Sequence, residues 1–283
     1  MKRISKIQSV KRIVQEAKKN GTVAFVPTMG AFHAGHLALM KKAKAQCDFV
    51  VVSLFVNPLQ FGPREDFEVY PRTFSKDRDF AADAGVDLFW TPLEKELFPL
   101  GFQTQITVTE ISRGLEGKSR PDHFSGVTTI VGKLLQIIQP DCLYLGQKDY
   151  QQCAVIRQMI VDLHFETKLS ICPIVREKDG LAMSSRNVRL SATEREITPV
   201  LYCALQATKA LLASGEKNVA RIVSAAENLL KSVCEIEIDY IALCDVKTLQ
   251  RLERVQNRMV LLLAVKMGSV RLIDNIVLQA PKS

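Results

Sequence analysis

The sequence predicts an α/β protein: a doubly wound, mostly parallel sheet over residues 1–175 and a smaller α+β domain over residues 176–283. Three observations predict it. Short β-branched runs alternate with helix-period segments through the first half. Those runs are apolar almost without interruption, as strands buried on both faces of a parallel sheet are. After Asn187 the order changes to helices followed by strands on short polar connections.

Taken in order, Ile4, Ile7, Val10, Val14 and Ala17 make a helical stripe, which we expect to be a structural helix. No apolar core of signal-peptide length accompanies it, and no stretch approaches the length of a membrane span. Thr22 to Val26 is a short strand that runs into Pro27 and a glycine-bearing turn, with a helix following His36. Phe49 to Val56 is a second strand, stopped at Asn57-Pro58. Ser75 to Ala84 is helical and ends at Gly85; Asp87 to Trp90 is a strand. Gly126 to Ile138 is a helix closed by Pro140, Cys142 to Leu145 a strand, Gln151 to Leu163 a helix and Leu169 to Val175 a strand. In the second domain Ser191-Ala-Thr-Glu194 is a capping box opening a helix that runs to about Ala213. A further helix spans about Asn218 to Val233. Ile236 to Leu243, Met259 to Val265 and Val270 to Ile273 are strands.

The apolar fraction of 47 % and charged fraction of 24 % are those of a soluble globular protein. The net charge of +8 suits small acidic substrates. It also leaves a nucleic-acid-binding module as an alternative of another class, although no basic stripe interleaved with aromatics is present. Seven irregularly spaced cysteines without a Cys-x-x-Cys argue for a reducing compartment and against structural zinc.

Four stretches carry polar groups that packing does not explain. His33 and His36 stand three residues apart at a helix start, where unpaired amides and a partial positive charge suit an anion. Asn57-Pro-Leu-Gln-Phe-Gly62, followed by Glu65-Asp66 and Tyr70-Pro71-Arg72, is a loop bracketed by proline and glycine. Gly146-Gln-Lys-Asp-Tyr-Gln-Gln152 follows a strand, and Lys148 can meet a phosphate as a point charge. Val175-Arg-Glu-Lys-Asp-Gly-Leu-Ala-Met-Ser-Ser-Arg-Asn187 sets the adjacent hydroxyls of Ser184 and Ser185 beside the Arg186 guanidinium, a phosphate clasp. Neither a Walker-type loop nor a Gly-x-Gly-x-x-Gly fingerprint occurs.

Together these segments resemble the pantoate–β-alanine ligase family. The resemblance is carried by Val26-Pro-Thr-Met-Gly30 with His33-Ala-Gly-His36, Phe55-Val-Asn-Pro-Leu-Gln-Phe61, Tyr70-Pro-Arg72, His123-Phe124 with Gly126-Val127, Gly146 to Gln152, and Arg176-Glu177 with Asp179 to Asn187. They occur in the family's order from Ile4 to Leu190; the C-terminal third matches in pattern more than in motif. A lone His-x-Gly-His would point only to a nucleotidylyl transferase, which remains the alternative enzyme. The resemblance implies a Rossmann-like catalytic domain, a C-terminal domain that closes the active site, and a cytoplasmic homodimer. It implies a two-step reaction with pantoate, β-alanine and ATP as substrates and Mg2+ accompanying ATP, and no nucleic-acid or membrane partner.

Carried over position by position, the resemblance implies that Met29, Gly30, Ala31, Phe32, His33, Ala34, Gly35 and His36 lie against ATP, with the acid role at His36. Gly146, Gln147, Lys148 and Asp149, and Met183, Ser184, Ser185 and Arg186, would neutralise its phosphates; Val175 would bond the adenine side through its backbone. His33, His36, Lys148, Ser185 and Arg186 form the catalytic set. Gln60 would hold pantoate and touch β-alanine, Gln152 would hold pantoate, and Asp77 would guide the metal. We attribute the choice of amides to the reaction: a bidentate arginine would grip the nucleophilic carboxylate in its ground state. Phe32 and Ile174 stand where the family usually has Leu and Thr, and Lys76 interrupts an acidic run beside Asp77.

Overall fold

Six strands form a parallel sheet in the order β1 (Lys2–Ile4), β4 (Leu88–Trp90), β3 (Phe49–Leu54), β2 (Val23–Thr28), β5 (Cys142–Gly146) and β6 (Lys168–Cys172). This computed structural model describes residues 1–63 and 65–281. The chain packs as two units: Met1–Gln147 with Gln151–Pro173, and Lys148–Tyr150 with Ile174–Ser283. The main division therefore falls at Pro173/Ile174, where the sequence suggested 175/176.

The apolar runs become strands buried on both sides. Along β3, Val51 joins a core with Phe25, Leu88 and Trp90 on one face, and Val50 and Val52 join Val26, Met40 and Phe89 on the other. The first face is covered by α1 (Ile7–Lys18), through Val10 and Val14, and by α6 (His123–Ile138), through Val127, Ile130, Leu134 and Ile138. The second carries α2 (Ala34–Gln46), whose Met40 and Ala43 are buried, and α3 (Phe74–Asp83), through Ala81. Two one-turn helices, α4 (Glu94–Leu97) and α5 (Glu116–Ser119), interrupt the connection to α6.

The chain lays down β2, moves outward to β3 and β4, then returns to place β5 on the other side of β2. That reversal is a topological switch point, and ligands of open α/β sheets bind at the carboxyl ends of strands beside it. The turn from β2 to α2 leaves the sheet there.

Some boundaries differ from expectation for local reasons. β3 ends two residues early, at Leu54. α6 begins at His123, so Gly126 lies inside its first turn. β6 ends at Cys172 because Pro173 has no amide to donate.

The second unit holds α8 (Ala192–Ile197), α9 (Val200–Ala213), α10 (Val219–Lys231) and an antiparallel sheet β7 (Ile236–Asp245), β8 (Arg258–Met267), β9 (Val270–Gln279). Leu201, Leu205, Ile222 and Leu230 pack on Leu261 and Leu263. The single helix expected after Ser191 is two, interrupted at Pro199. The predicted capping box is present, with Ser191 and Glu194 each bonding the other's backbone.

β9 continues six residues beyond Ile273, the expected end, through the buried polar pair Asp274-Asn275. Arg176 explains how. Its guanidinium donates to the two Asp274 oxygens at 2.5 and 2.9 Å, with Nη1 also donating to Gly180 O at 3.0 Å. Burial pushes the Asp274 carboxyl above its usual pKa, and Arg176 pulls the other way. Arg176→Met leaves that carboxylate buried without its cation. We expect urea unfolding, followed by circular dichroism, to show a loss of about 3 kcal/mol or more, and Asp274→Asn in the same chain to recover a large part of it.

Candidate active site

The turn after β2 is built from a backbone that ordinary residues resist. Gly30 has φ 90° and Ala31 φ 52°. Glycine adopts such angles freely, whereas an alanine there is disfavoured by about 1–2 kcal/mol. Asp77, 1 % exposed on the first turns of α3, opposes that strain. Its Oδ2 accepts the Ala31 amide at 2.9 Å, and its Oδ1 accepts the Phe32 amide at 2.7 Å and the Thr73 hydroxyl at 3.1 Å. Phe32 then packs edge-on against Phe89 and beside the His36 ring, 5.4 Å between centroids.

His33 is the N-cap of α2, a place where serine or aspartate is usual. Its Nδ1 accepts the Gly35 amide at 3.1 Å, and His36 Nδ1 accepts the His33 amide at 3.3 Å, completing a reciprocal cap. A ring nitrogen that accepts an N–H carries no proton, so the proton of each imidazole is on Nε2. The two rings lie 4.2 Å apart. The arrangement presents neutral imidazoles as N–H donors at a helix start.

The Asn57–Gln60 loop after β3 meets this turn. Gln60 Nε2 contacts Met29 Sδ at 2.8 Å, and its Oε1 accepts Asn57 Nδ2 at 3.2 Å. Asn57, 1 % exposed, also donates to Gly126 O at 3.1 Å. The Gln60 carbonyl is held from behind: His123 Nδ1 lies 2.8 Å away and Arg120 Nη2 3.3 Å. A carbonyl only accepts, so His123 carries its proton on Nδ1 and its Nε2 accepts from Arg120 Nη1 at 3.2 Å. Burial, reinforced by the Arg120 charge, lowers the His123 pKa to about 4. Arg120 also pairs with both Glu65 oxygens, Nε–Oε1 at 2.7 Å. Burial works against the Glu65 charge, but the Arg120 hydrogen bond and charge outweigh it and hold its pKa below the usual value. Gly126 lets α6 approach the loop: a Cβ there would lie 2.1 Å from Leu59 O.

Gly146 ends β5, and Gln147, Lys148 and Asp149 form a single 3-10 turn before α7 (Tyr150–Asp162). The half-buried Lys148 has its carbonyl held by Asn275 Nδ2 at 2.9 Å, within the second unit. Of the adjacent glutamines, Gln151 is buried and braces the 111–116 segment through Glu116 N, Ile111 O and Gly114 O. Gln152 is half-buried on the first turn of α7.

In the second unit Val175 O accepts Met183 N at 3.0 Å, and an Arg176–Ala182 bridge makes this segment a tight hairpin turned at Gly180, φ 96°. Arg176 lies over the Tyr202 ring at 4.2 Å. Ser184 Oγ accepts Arg186 N at 3.3 Å and caps the short 3-10 helix Ser185–Arg189. Asn187 Nδ2 ties the segment to Ala182 O at 3.2 Å. Val175, Met183, Ser184, Ser185 and Arg186 thus share one scaffold, as Met29–His36 and Gln60 share another. Among the described residues no cluster of three or more His, Cys, Asp or Glu side chains is placed to hold a metal, and the Asp77 oxygens face the turn's amides.

The sequence placed Asn57 and Glu65 in a polar loop and His123 among the family's motifs without giving any of them a role, and did not name Arg120. Arg120-x-x-His123 just after a turn was the available signal, since that spacing lets two side chains share one acceptor.

A family model described as pantoate-beta-alanine ligase matches residues 2–277. A pantothenate synthetase of Caldicellulosiruptor saccharolyticus is 48 % identical over 98 % of this chain and 99 % of its own. One of Moorella thermoacetica is 45 % identical over 99 % of each. Among solved structures, a pantothenate synthetase of Thermus thermophilus superposes with a TM-score of 0.94 at 42 % identity, covering 98 % of this chain and 99 % of that one. A pantoate-beta-alanine ligase of Francisella tularensis, complexed with beta-gamma ATP and beta-alanine, gives 0.81 at 39 % identity, covering 98 % and 97 %.

Two outcomes follow from the loop's support. His123 is neutral when folded and titrates near its ordinary value when unfolded, so the unfolded chain binds the extra proton between about pH 6.5 and 4. Stability rises with pH across that window. Urea melts should show wild type losing up to roughly 3 kcal/mol relative to His123→Gln on acidification from pH 7 to 4. Gly126→Ala should displace the Asn57–Gln60 loop, visible as a lower Tm by differential scanning calorimetry.

Proposed function

Because this chain belongs to the pantoate-beta-alanine ligase family, we propose that it joins pantoate and β-alanine to make pantothenate with ATP as the driving substrate. In the first step a pantoate carboxylate oxygen attacks the α-phosphorus of ATP, the bond from that phosphorus to the oxygen bridging to the β-phosphate breaks, and pyrophosphate leaves with the bond pair as pantoyl adenylate forms. In the second, the β-alanine amine attacks the acyl carbon, AMP leaves with the acyl-oxygen bond pair, and the amine gives up a proton.

The observation that carries this reading is the histidine pair: two imidazoles whose Nδ1 atoms accept backbone amides, leaving the ring protons on Nε2. Phosphoryl transfer asks for positioned donors where charge grows on oxygen, and a neutral N–H donor meets that need without a change of protonation. His36 and His33, with the α2 amides, serve the α-phosphate side. Met29 to Gly35 lie along ATP, and Gly146 to Asp149 approach its phosphates. Lys148, Ser185 and Arg186 neutralise developing charge, with Met183 and Ser184 shaping their segment, and the Val175 backbone meets the adenine.

Gln60 holds pantoate and touches β-alanine, and Gln152 holds pantoate. The Gln60 amide is oriented by Met29, Asn57 and the doubly held carbonyl, so it can aim a carboxylate without neutralising it. On this reading magnesium enters on the phosphates of ATP, whose oxygens are the hard ligands it prefers. A homodimer in a reducing, cytoplasmic setting completes the reading, in keeping with seven free thiols. No helix among the described residues is long and apolar enough to cross a membrane.

The test is a reaction mixture of protein, ATP, Mg2+ and pantoate, with and without β-alanine. Pyrophosphate release should depend on pantoate, and pantothenate with AMP should form only when β-alanine is added. ATP turnover without pantoate, or a nucleotide conjugate as end product, would reject the assignment. His36→Ala should fold and lose about 10²–10³-fold in pyrophosphate release. Gln60→Arg should also slow that release; a near-normal rate would show that the neutral amide is unimportant.

A further inference from the structure

The turn that carries the histidines is held by a residue that the reaction above does not use. Between Thr28 and the cap residue His33 the chain reverses through two successive left-handed residues, Gly30 and Ala31. Gly30 is at home there and leaves room for the clamp: a Cβ would stand 3.1 Å from Asp77 Oδ2 and 3.3 Å from Leu54. Ala31 is not at home, and its amide ends on the same Oδ2 at 2.9 Å. The next amide, of Phe32, ends on Oδ1 at 2.7 Å. Adjacent amides converge on one carboxylate only while Ala31 stays left-handed. Released, Ala31 would favour φ below zero, swinging Phe32, the His33 cap and the His36 ring packed on Phe32.

Asp77 is placed to hold and not to react. It is buried, and Thr73 is a third donor to the carboxylate, the second on Oδ1. A carboxylate suits the task because it offers acceptors on both oxygens, whereas an amide offers one acceptor and turns a donor toward the other N–H. We propose that Asp77 is a positioning residue for adenylation, holding Ala31 left-handed and so keeping both histidines in the capped, Nε2–H form. This rests on the adenylation reading for its kinetic consequence, but its effect on the histidine rings does not.

The experiment compares wild type, Asp77→Asn, Ala31→Gly and the double variant in pantoate-dependent pyrophosphate release and in long-range 1H–15N spectra of the histidine rings. In wild type His33 and His36 should show Nδ1 unprotonated and Nε2 protonated. Asp77→Asn should lower kcat by about 100-fold, the scale of a misplaced catalytic group, and give mixed ring tautomers while circular dichroism stays native. Adding Ala31→Gly, which removes the left-handed penalty, should recover about tenfold of that loss. Excess Mg2+ should recover none. A wild-type rate and spectrum for Asp77→Asn would overturn the proposal. So would a loss that Mg2+ restores and Ala31→Gly does not, which would make Asp77 a metal guide. Should Asp77→Asn fail to fold, Thr73→Val removes only the hydroxyl from Oδ1; a several-fold fall in kcat with ring tautomer mixing supports the clamp, and no change in either overturns it. If wild type itself shows no pantoate-dependent release, the adenylation reading fails while the ring spectra still test the clamp.

Discussion

A central parallel strand has to become a helix within a short turn, and the candidate site depends on how that is done. β2 lies between β3 and β5 and is buried along most of its length, so its exit cannot wander. The chain turns by two left-handed residues, held by a carboxylate from α3, and enters α2 through a histidine cap. The strain at Ala31 is small beside the hydrogen bonds that oppose it. It has a structural return: the amides of the first α2 turn and two imidazoles occupy the carboxyl edge of the sheet at the switch point. A serine cap would satisfy the same backbone amides, but it would leave no second N–H pointing onward.

The same economy governs the Gln60 loop. A loop after a strand is free to move unless its backbone groups are occupied. Here the Gln60 carbonyl receives two donors, its side-chain amide is held at both ends, and Asn57 bridges to the first turn of α6. The absence of a side chain at Gly126 makes that bridge short enough. His123 contributes as a neutral ring donating from Nδ1 and accepting at Nε2. A charged ring would set an N–H against the Arg120 guanidinium, a repulsion that adds to burial in lowering its pKa, while Glu65 balances Arg120 on the other side.

Much of the fold was legible because period and punctuation agree: apolar runs ending at Asn57-Pro58, Gly85 and Pro140 became strands and helices near their expected bounds. The exceptions are positions where a distant partner changes what a residue means. Asp274 and Asn275 read as the end of a strand, because nothing local announces that Arg176 will neutralise one and the Lys148 carbonyl will bond the other. Asp77 drew attention as an acidic residue near phosphate chemistry. That it faces two amides across the turn follows from how α3 packs, which no spacing encodes. His33 and His36 were visible from their motif, while the location of their protons was not, because it is set by which backbone amides the rings accept.

Buried charge plays one role in both units. Asp77 fixes the histidine turn, and Asp274, through Arg176, fixes the hairpin that carries Val175 and Met183. Removing one partner of a buried ion pair is costly, whereas replacing the whole pair with apolar side chains is often neutral for stability. What it removes is direction, because a carboxylate that accepts defined N–H groups permits one backbone path, whereas packed methyl groups permit several. A site that acts through donors aimed at a few oxygen atoms needs that direction more than it needs the last increment of stability. The desolvated carboxylates are therefore best understood as the means by which loops at a sheet edge acquire the rigidity of the strands beneath them.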